Sequence, residues 1–288
     1  MIRKCCVSCM VILWMFGCVS FLSLTLLLSL SYSQTPTHTQ VLAMPNNVAE
    51  PFVKELQHTS KLLIDLSADY RFDKTWTYGL PERRGERDKI LGAKLVSNPG
   101  CYATGAQIAL MPLADMGVLK TAQIFGVSGY SGAGTNPSDK NDLKYLTDNI
   151  VPYGLVNHIH EREISTQLET NVEFMPHVAS FFQGISLTSN AKLMGDKLKT
   201  RDDVVKLYEE YFKDEPLIRV VRDENVTVKT HGTGHHGVTL GGFELKDDRV
   251  VIVSAIDNLL KGAATQCLQN MNLALGLNEY EGISNSEE

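Results

Sequence analysis

The chain has 288 residues, 43% of them apolar and 21% charged, which is ordinary for a folded protein and long enough for one large domain or two modest ones. Its formal net charge of -6 and its lack of an extended Lys/Arg stripe argue against nucleic-acid binding, which requires cations to neutralise phosphates. Small molecules are the expected ligands.

Arg3 and Lys4 precede an apolar stretch from about residue 10 to residue 30, followed by small residues, so residues 1–40 read as a secretory signal, a membrane anchor or a mispredicted start. Of the six cysteines, Cys5, Cys6, Cys9 and Cys18 fall in this leader. The body holds only Cys101 and Cys267, too few for a disulfide framework. At Val41 a strand and turn begin abruptly, as in the middle of a domain. Residues 47–57 then read as a helix, 61–65 as a buried strand, 94–97 as another strand and 104–116 as a helix carrying Ile108, Leu110, Met111 and Leu113. This alternation implies an α/β architecture. The run Arg83, Arg84, Arg87, Lys89 is interrupted by acids and reads as a solvated loop.

Strand-like runs continue at 123–127, 184–187, 238–245 and 249–255, with helical periodicity over 200–212 and 257–275. The late clustering of strands implies a second, mixed sheet, and the acidic tail after Tyr280 reads as solvated.

Cys101 follows Pro99-Gly100 where a strand gives way to a helix. That position puts its sulfur beside the helix N–H groups and the positive end of the dipole, which favours thiolate. The same N–H groups would stabilise an oxyanion on an acyl group carried by the sulfur. The competing reading is a buried structural cysteine at a turn. In an extended segment His158 and His160 would face the same way, as base and partner or as two metal ligands. No third and fourth ligand stand at recognisable spacing, and His231, His235 and His236 read as an exposed loop. Residues 128–134 combine three glycines with hydroxyl residues, a composition suited either to close approach of a phosphate or nicotinamide or to a plain flexible turn. Arg71 reads as a partner for a substrate carboxylate or phosphate, or as a surface contact of Asp69. Asp257 fits the N-cap of the last long helix.

The stretch Val96-Ser97-Asn98-Pro99-Gly100-Cys101-Tyr102-Ala103-Thr104-Gly105 resembles the active-site signature of the N-acetyl-γ-glutamyl-phosphate reductases. Six more segments resemble motifs of that family in register: those opening at Asp65, Tyr78, Ser128, His158, Phe174 and Asp257. The resemblance runs from about residue 41 to residue 283 and is nearest the fungal mitochondrial form. It implies a truncated Rossmann-type domain followed by a semialdehyde-dehydrogenase-like catalytic and dimerisation domain with a mixed sheet. The expected divisions are 1–40 leader and linker, 41–100 end of the nucleotide domain, 101–256 catalytic domain, and 257–288 a helix returning to the nucleotide domain plus the tail.

The activity implied is NADPH-dependent reduction of an acyl phosphate to a semialdehyde through a thioester on Cys101, in a homo-oligomer of the mitochondrial matrix. By resemblance His160 is the base with His158 beside it. Ser128, Gly129, Ser131, Gly132 and Asn258 would meet NADP(H), while Arg71, Asn98, Gly100 and His177 would meet substrate. No metal is implied. The family's first strand and glycine-rich pyrophosphate turn have no counterpart before Cys101, so weak or absent NADPH binding is expected, with a non-catalytic binding partner as the alternative. A membrane enters only if the leader is genuine and uncleaved. A secretory Cys/His hydrolase, prompted by the leader and the sequon at Asn225, has no use for the glycine-rich segment.

Overall fold

The computed structural model describes residues 39–134 and 136–283, and the leader lies outside them. The described chain divides into two units: one takes the residues up to Gly100 and from Ala263 onward, the other runs from Cys101 to Gly262.

In the first unit, β1 (Thr39–Leu42), β2 (Leu62–Asp65), β3 (Thr77–Tyr78) and β4 (Leu95–Ser97) form a parallel sheet in the order β1-β2-β4-β3. All four residues of β2 are buried, as a parallel strand covered on both faces requires. Helix α1 (Glu50–Leu56) starts later than the expected residue 47. Asn47 is held at φ 66° and its N–H donates to the Asp69 carboxylate at 2.8 Å, while Pro51 supplies the fixed φ that opens the helix. Its Val53 packs with Leu42, Leu63 and Trp76, and Tyr70 stacks on Trp76 at 4.3 Å. Burying each such aliphatic side chain contributes about 1.5–3 kcal/mol.

The basic run is only partly a solvated loop: Arg83 and Arg84 lie in a turn, with Arg84 exposed, but the rest is helical. Arg87 and Lys89 fall in α2 (Glu86–Ile90), in which Arg87 makes a forked bond to Glu279, Nε at 2.9 Å and Nη2 at 3.1 Å. That pairing also ties down residues near Tyr280, so Ile283 is buried where a wholly solvated tail was expected. The final helix of this unit, α7 (Thr265–Ala274), packs on β2 and α2.

In the second unit, α3 (Cys101–Asp115) buries twelve consecutive residues from Tyr102 to Leu113. Its sheet contains β5 (Leu119–Gly129), β6 (Ile150–Pro152), β7 (Asn171–Ala179), β8 (Ile185–Leu193), β9 (Ile218–Val220), β10 (Val238–Lys246) and β11 (Arg249–Ile256), in the order β6-β7-β5-β8-β11-β10-β9. Pairing is mixed, with β5–β7 and β9–β10 parallel and the rest antiparallel. In β8, Ile185, Leu187, Ala191 and Leu193 are buried on one face while Thr188 and Lys192 face out, the period-two pattern of a one-sided sheet. β7 had no strand signal because Pro176 interrupts the run and proline removes a ladder donor. A short helix α4 (Leu143–Leu146) precedes β6. Helix α5 (Ile159–Leu168) packs on α3 and β7, and α6 (Arg201–Tyr211), closed by a Thr200–Asp203 capping box, packs on β9 and β10.

The expected helix over 257–275 opens instead as a π-helical turn, Leu260–Ala264, before α7 (Thr265–Ala274). Among the described residues no helix is long and apolar enough to cross a membrane.

Candidate active site

Cys101 is the first residue of α3 and is partly exposed. Cys267 is fully buried, and that burial pushes its thiol up to about 12. Of the two body thiols, only Cys101 stands where helix N–H groups favour thiolate. Gly262 lies directly against it: a Cβ there would sit 2.7 Å from the Cys101 Cβ.

Tyr102, next in the helix, is buried and its hydroxyl donates to the His177 carbonyl at 2.6 Å. Burial first, and the charges of Tyr153 and Cys101 after it, hold its phenol well above the usual range. Its ring lies 4.9 Å from Phe174 and 5.9 Å from His160. The His160 and His158 rings are 4.9 Å apart.

Residues 159–164 are helical rather than extended. His158 is the N-cap of α5, and its Nδ1 accepts from the His160 N–H at 3.2 Å. Glu161 closes the cap from the other side, accepting from the Asn157 N–H at 3.1 Å with Oε1 and from the Phe174 N–H at 2.8 Å with Oε2. Burial, reinforced by Lys140 and opposed by Glu161, lowers the His158 pKa. An Nδ1 that accepts a backbone bond is unprotonated, so His158 caps the helix with that nitrogen.

Tyr153 went unmarked in the sequence. It follows β6, its ring stands 5.7 Å from that of His158, and its hydroxyl is hydrogen-bonded with that of Tyr102. Burial, with the Cys101 charge adding to it, raises its phenol to about 12. Only the strand pairing of β6 with β7 brings it here, a relation that no local pattern announces.

Asn258 accepts from the Gly184 N–H at 2.7 Å and donates to the Ser131 hydroxyl at 2.9 Å, joining two loops. Asp257 is buried and accepts four bonds. One oxygen takes the Leu259 and Leu260 N–H groups at 2.8 and 3.1 Å, the other the Gln183 amide at 2.6 Å and the Gly234 N–H at 2.7 Å. Gly129 is anchored by its N–H to the Gly184 carbonyl at 2.9 Å, Gly132 follows in the 3-10 turn Tyr130–Ala133, and Ser128 is buried beside Tyr102.

His177 is not brought to the Cys101 side. Three residues along β7 from Phe174, its ring faces the other way and stacks near Phe125 at 4.3 Å. In the first unit, Arg71 is buried and donates to the carbonyls of Asn98 and Leu66, both at 2.9 Å, and Asn98 is 1% exposed and bonded within the unit. Gly100 is likewise buried.

The histidines expected in an exposed loop are partly inside. His231 is 4% exposed, accepting from the Thr227 N–H at 3.1 Å and facing Glu224 at 3.2 Å. Among the described residues no group of three or more His, Cys, Asp or Glu is arranged to hold a metal ion.

The parallel-sheet unit and the mixed-sheet unit, with Cys101 at their junction in sequence, coincide with the two domain models of the semialdehyde dehydrogenases, which places the chain in that class. The NAD binding domain model of the semialdehyde dehydrogenases matches residues 33–91, and their dimerisation domain model matches residues 101–258. Aspartate semialdehyde dehydrogenase II from Vibrio cholerae has the same fold, with a TM-score of 0.71 at 16% identity over 85% of this chain and 82% of that one. The chain is 51% identical over 247 residues to an N-acetyl-gamma-glutamyl-phosphate reductase of Stenotrophomonas maltophilia, covering 84% of this chain and 76% of that protein. It is 54% identical over 252 residues to the mitochondrial protein arg-6 of Neurospora crassa, again 84% of this chain but only 28% of that longer protein. The chain belongs to the semialdehyde dehydrogenase family, in its N-acetyl-γ-glutamyl-phosphate reductase branch.

Proposed function

We propose that this chain reduces N-acetyl-γ-glutamyl phosphate to N-acetylglutamate semialdehyde, as the name of its Stenotrophomonas relative states of that protein. The observation that carries the reading is Cys101 at the start of α3, with His160 ringed by Tyr102, His158 and Phe174 in the same unit. His160 takes the Cys101 proton. The thiolate attacks the acyl carbon, a C–S bond forms, the C–O bond to phosphate breaks, and the departing phosphate takes the proton from His160. Backbone N–H groups of the α3 first turn receive the oxyanion. After reduction the tetrahedral oxygen collapses to the aldehyde and expels the Cys101 thiolate.

The donor set of Ser131 and Asn258 fits a nicotinamide carboxamide: Ser131 accepts from Asn258 and keeps its own proton to donate, and Asn258 keeps a second amide proton. Bound NADPH supplies the hydride that converts the thioester to the aldehyde level. A homo-oligomer is supported by the matched dimerisation domain, and the mitochondrial matrix by the mitochondrial relatives.

The test is the reverse reaction, in which purified chain, the semialdehyde, NADP and phosphate are followed by NADPH absorbance, with mass mapping of acylated Cys101. Phosphate-dependent NADPH formation that C101S abolishes is expected. Failure of the intact chain to form NADPH or an acyl-Cys101 adduct overturns the proposal in favour of a binding partner without catalysis.

A further inference from the structure

Asn270 lies in α7 with no exposed surface, on a helix whose Thr265, Gln266, Gln269 and Asn272 are buried as well. Its Nδ2 donates to the Gly79 carbonyl at 2.9 Å and to the Asn98 Oδ1 at 3.0 Å. That second bond completes the partners of Asn98. The Asn98 N–H donates to the Asp65 carbonyl at 2.7 Å, its own carbonyl accepts from Arg71 Nε at 2.9 Å, and its Nδ2 donates to the Ala263 carbonyl at 3.4 Å. All four polar groups of one residue are therefore held, three residues before Cys101, and the next residue, Pro99, has a fixed φ.

The packing around Asn270 is built for this amide. A Cβ on Gly79 would fall 2.2 Å from the Asn270 Nδ2, so the chain approaches there only as glycine. Stability alone does not explain the cluster. Gln266 reaches Gln269 and Asn270 only at 3.4 and 3.5 Å, and its Oε1 has no hydrogen-bond partner among the described residues. A buried polar atom left so costs about 1–3 kcal/mol, and an apolar helix face would avoid it.

We propose that Asn270 is a positioning residue for the nucleophile: by clamping Asn98 it fixes the Asn98-Pro99-Gly100 turn from which Cys101 emerges. The proposal rests on Cys101 being the nucleophile. The amide acts on Cys101 through the turn, so that the sulfur and the first N–H groups of α3 keep one alignment.

The experiment reads Cys101 directly. Iodoacetamide alkylation of the full chain is followed against pH, with peptide mass mapping to tell Cys101 from the other five cysteines. N270A is expected to move the pH midpoint of Cys101 labelling up by about half a unit or more as helix N–H stabilisation of the thiolate is lost, and to lower kcat by about 10-fold to 100-fold with KM little changed. In an N98A background N270A is expected to add nothing, since its effect passes through that residue. G79A, which crowds the amide without removing a partner, is expected to reproduce the shift, and thermal unfolding establishes that each variant is folded. A folded N270A with an unchanged midpoint, or additive effects with N98A, overturns the clamp; if N270A does not fold, an unchanged midpoint in G79A overturns it. An ordinary thiol midpoint in the parent would sink the nucleophile assignment but not the clamp, which is read from the difference between parent and variant.

Discussion

Gly262 closes directly on Cys101. A Cβ at Gly262 would stand 2.7 Å from the Cβ of Cys101 and 3.3 Å from its Cα, and the Gly262 N–H donates to the Asp257 carbonyl at 2.8 Å, which leaves the turn no room to retreat. G262A is therefore expected to cost about 1–3 kcal/mol through overpacking and to lower kcat by displacing the sulfur. Calorimetry and turnover check it, and a G262A enzyme of parental Tm and kcat would show that the turn yields freely.

On the proposed mechanism the two histidines separate by role. H160N is expected to lower kcat by about 10²-fold to 10⁴-fold, the usual scale of a lost general base. H158N keeps a side-chain acceptor at the N-cap and is expected to lose far less. The pair also differs in pH dependence of stability. Burial lowers the folded-state pKa of His158, so below about 6.5 the unfolded chain takes up the proton first. The contribution of His158 is complete above that pH and is lost as pH falls towards its depressed folded value. Denaturant titrations from pH 7.5 to 5 are expected to show a shallower decline in H158N, the remainder coming from His236, which burial lowers in the same sense. Identical slopes would refute the cap.

Strands and long helices were legible where periodicity alone decides, as in β11 and α6, whereas only the first residues of β8 were expected. The misses have physical causes. Pro176 hid β7, and the whole of α5 was missed, its segment having been read as extended, because histidine is not among the usual N-cap residues. The signal that was available there is Glu161 three residues on, the far half of a capping pair. The place of Cys101 at a strand-to-helix turn was legible through its Pro-Gly neighbours. Tyr153 and Asn270 were not, since each reaches its place through strand pairing or helix return over long sequence separations.

The Arg87–Glu279 fork ties α2 to the residues after α7, and Glu279 also accepts from the Gln269 amide at 2.8 Å. Its side chain is 13% exposed and that of Arg87 33%, so the pair is only partly screened. E279A is expected to cost about 1.5–3 kcal/mol, the range for hydrogen bonds to a charged group, with proteolysis beginning at the C-terminal segment. A loss below about 0.5 kcal/mol would place the pair among ordinary surface contacts.

Asp65 ends β2 fully buried. One carboxylate oxygen accepts from the Ser67 hydroxyl at 2.6 Å and the other has no hydrogen-bond partner among the described residues. Burial raises its pKa; the Ser67 bonds oppose it, Asp69 adds to it, and Arg71 offsets it least. The folded chain thus holds this proton to higher pH than the unfolded chain, whose value is about 3.9. The Asp65 contribution is greatest below that pH and falls as pH rises through the raised folded value, so at neutral pH the ionised carboxylate is a cost. D65N keeps an acceptor for Ser67 and removes the charge. At pH 7.5 its Tm is expected to exceed the parent's, and the two curves should draw together as pH falls and the Asp65 carboxyl takes up its proton. If D65N is instead the less stable at pH 7.5, the Arg71 charge dominates the site and the carboxylate is held as an ion.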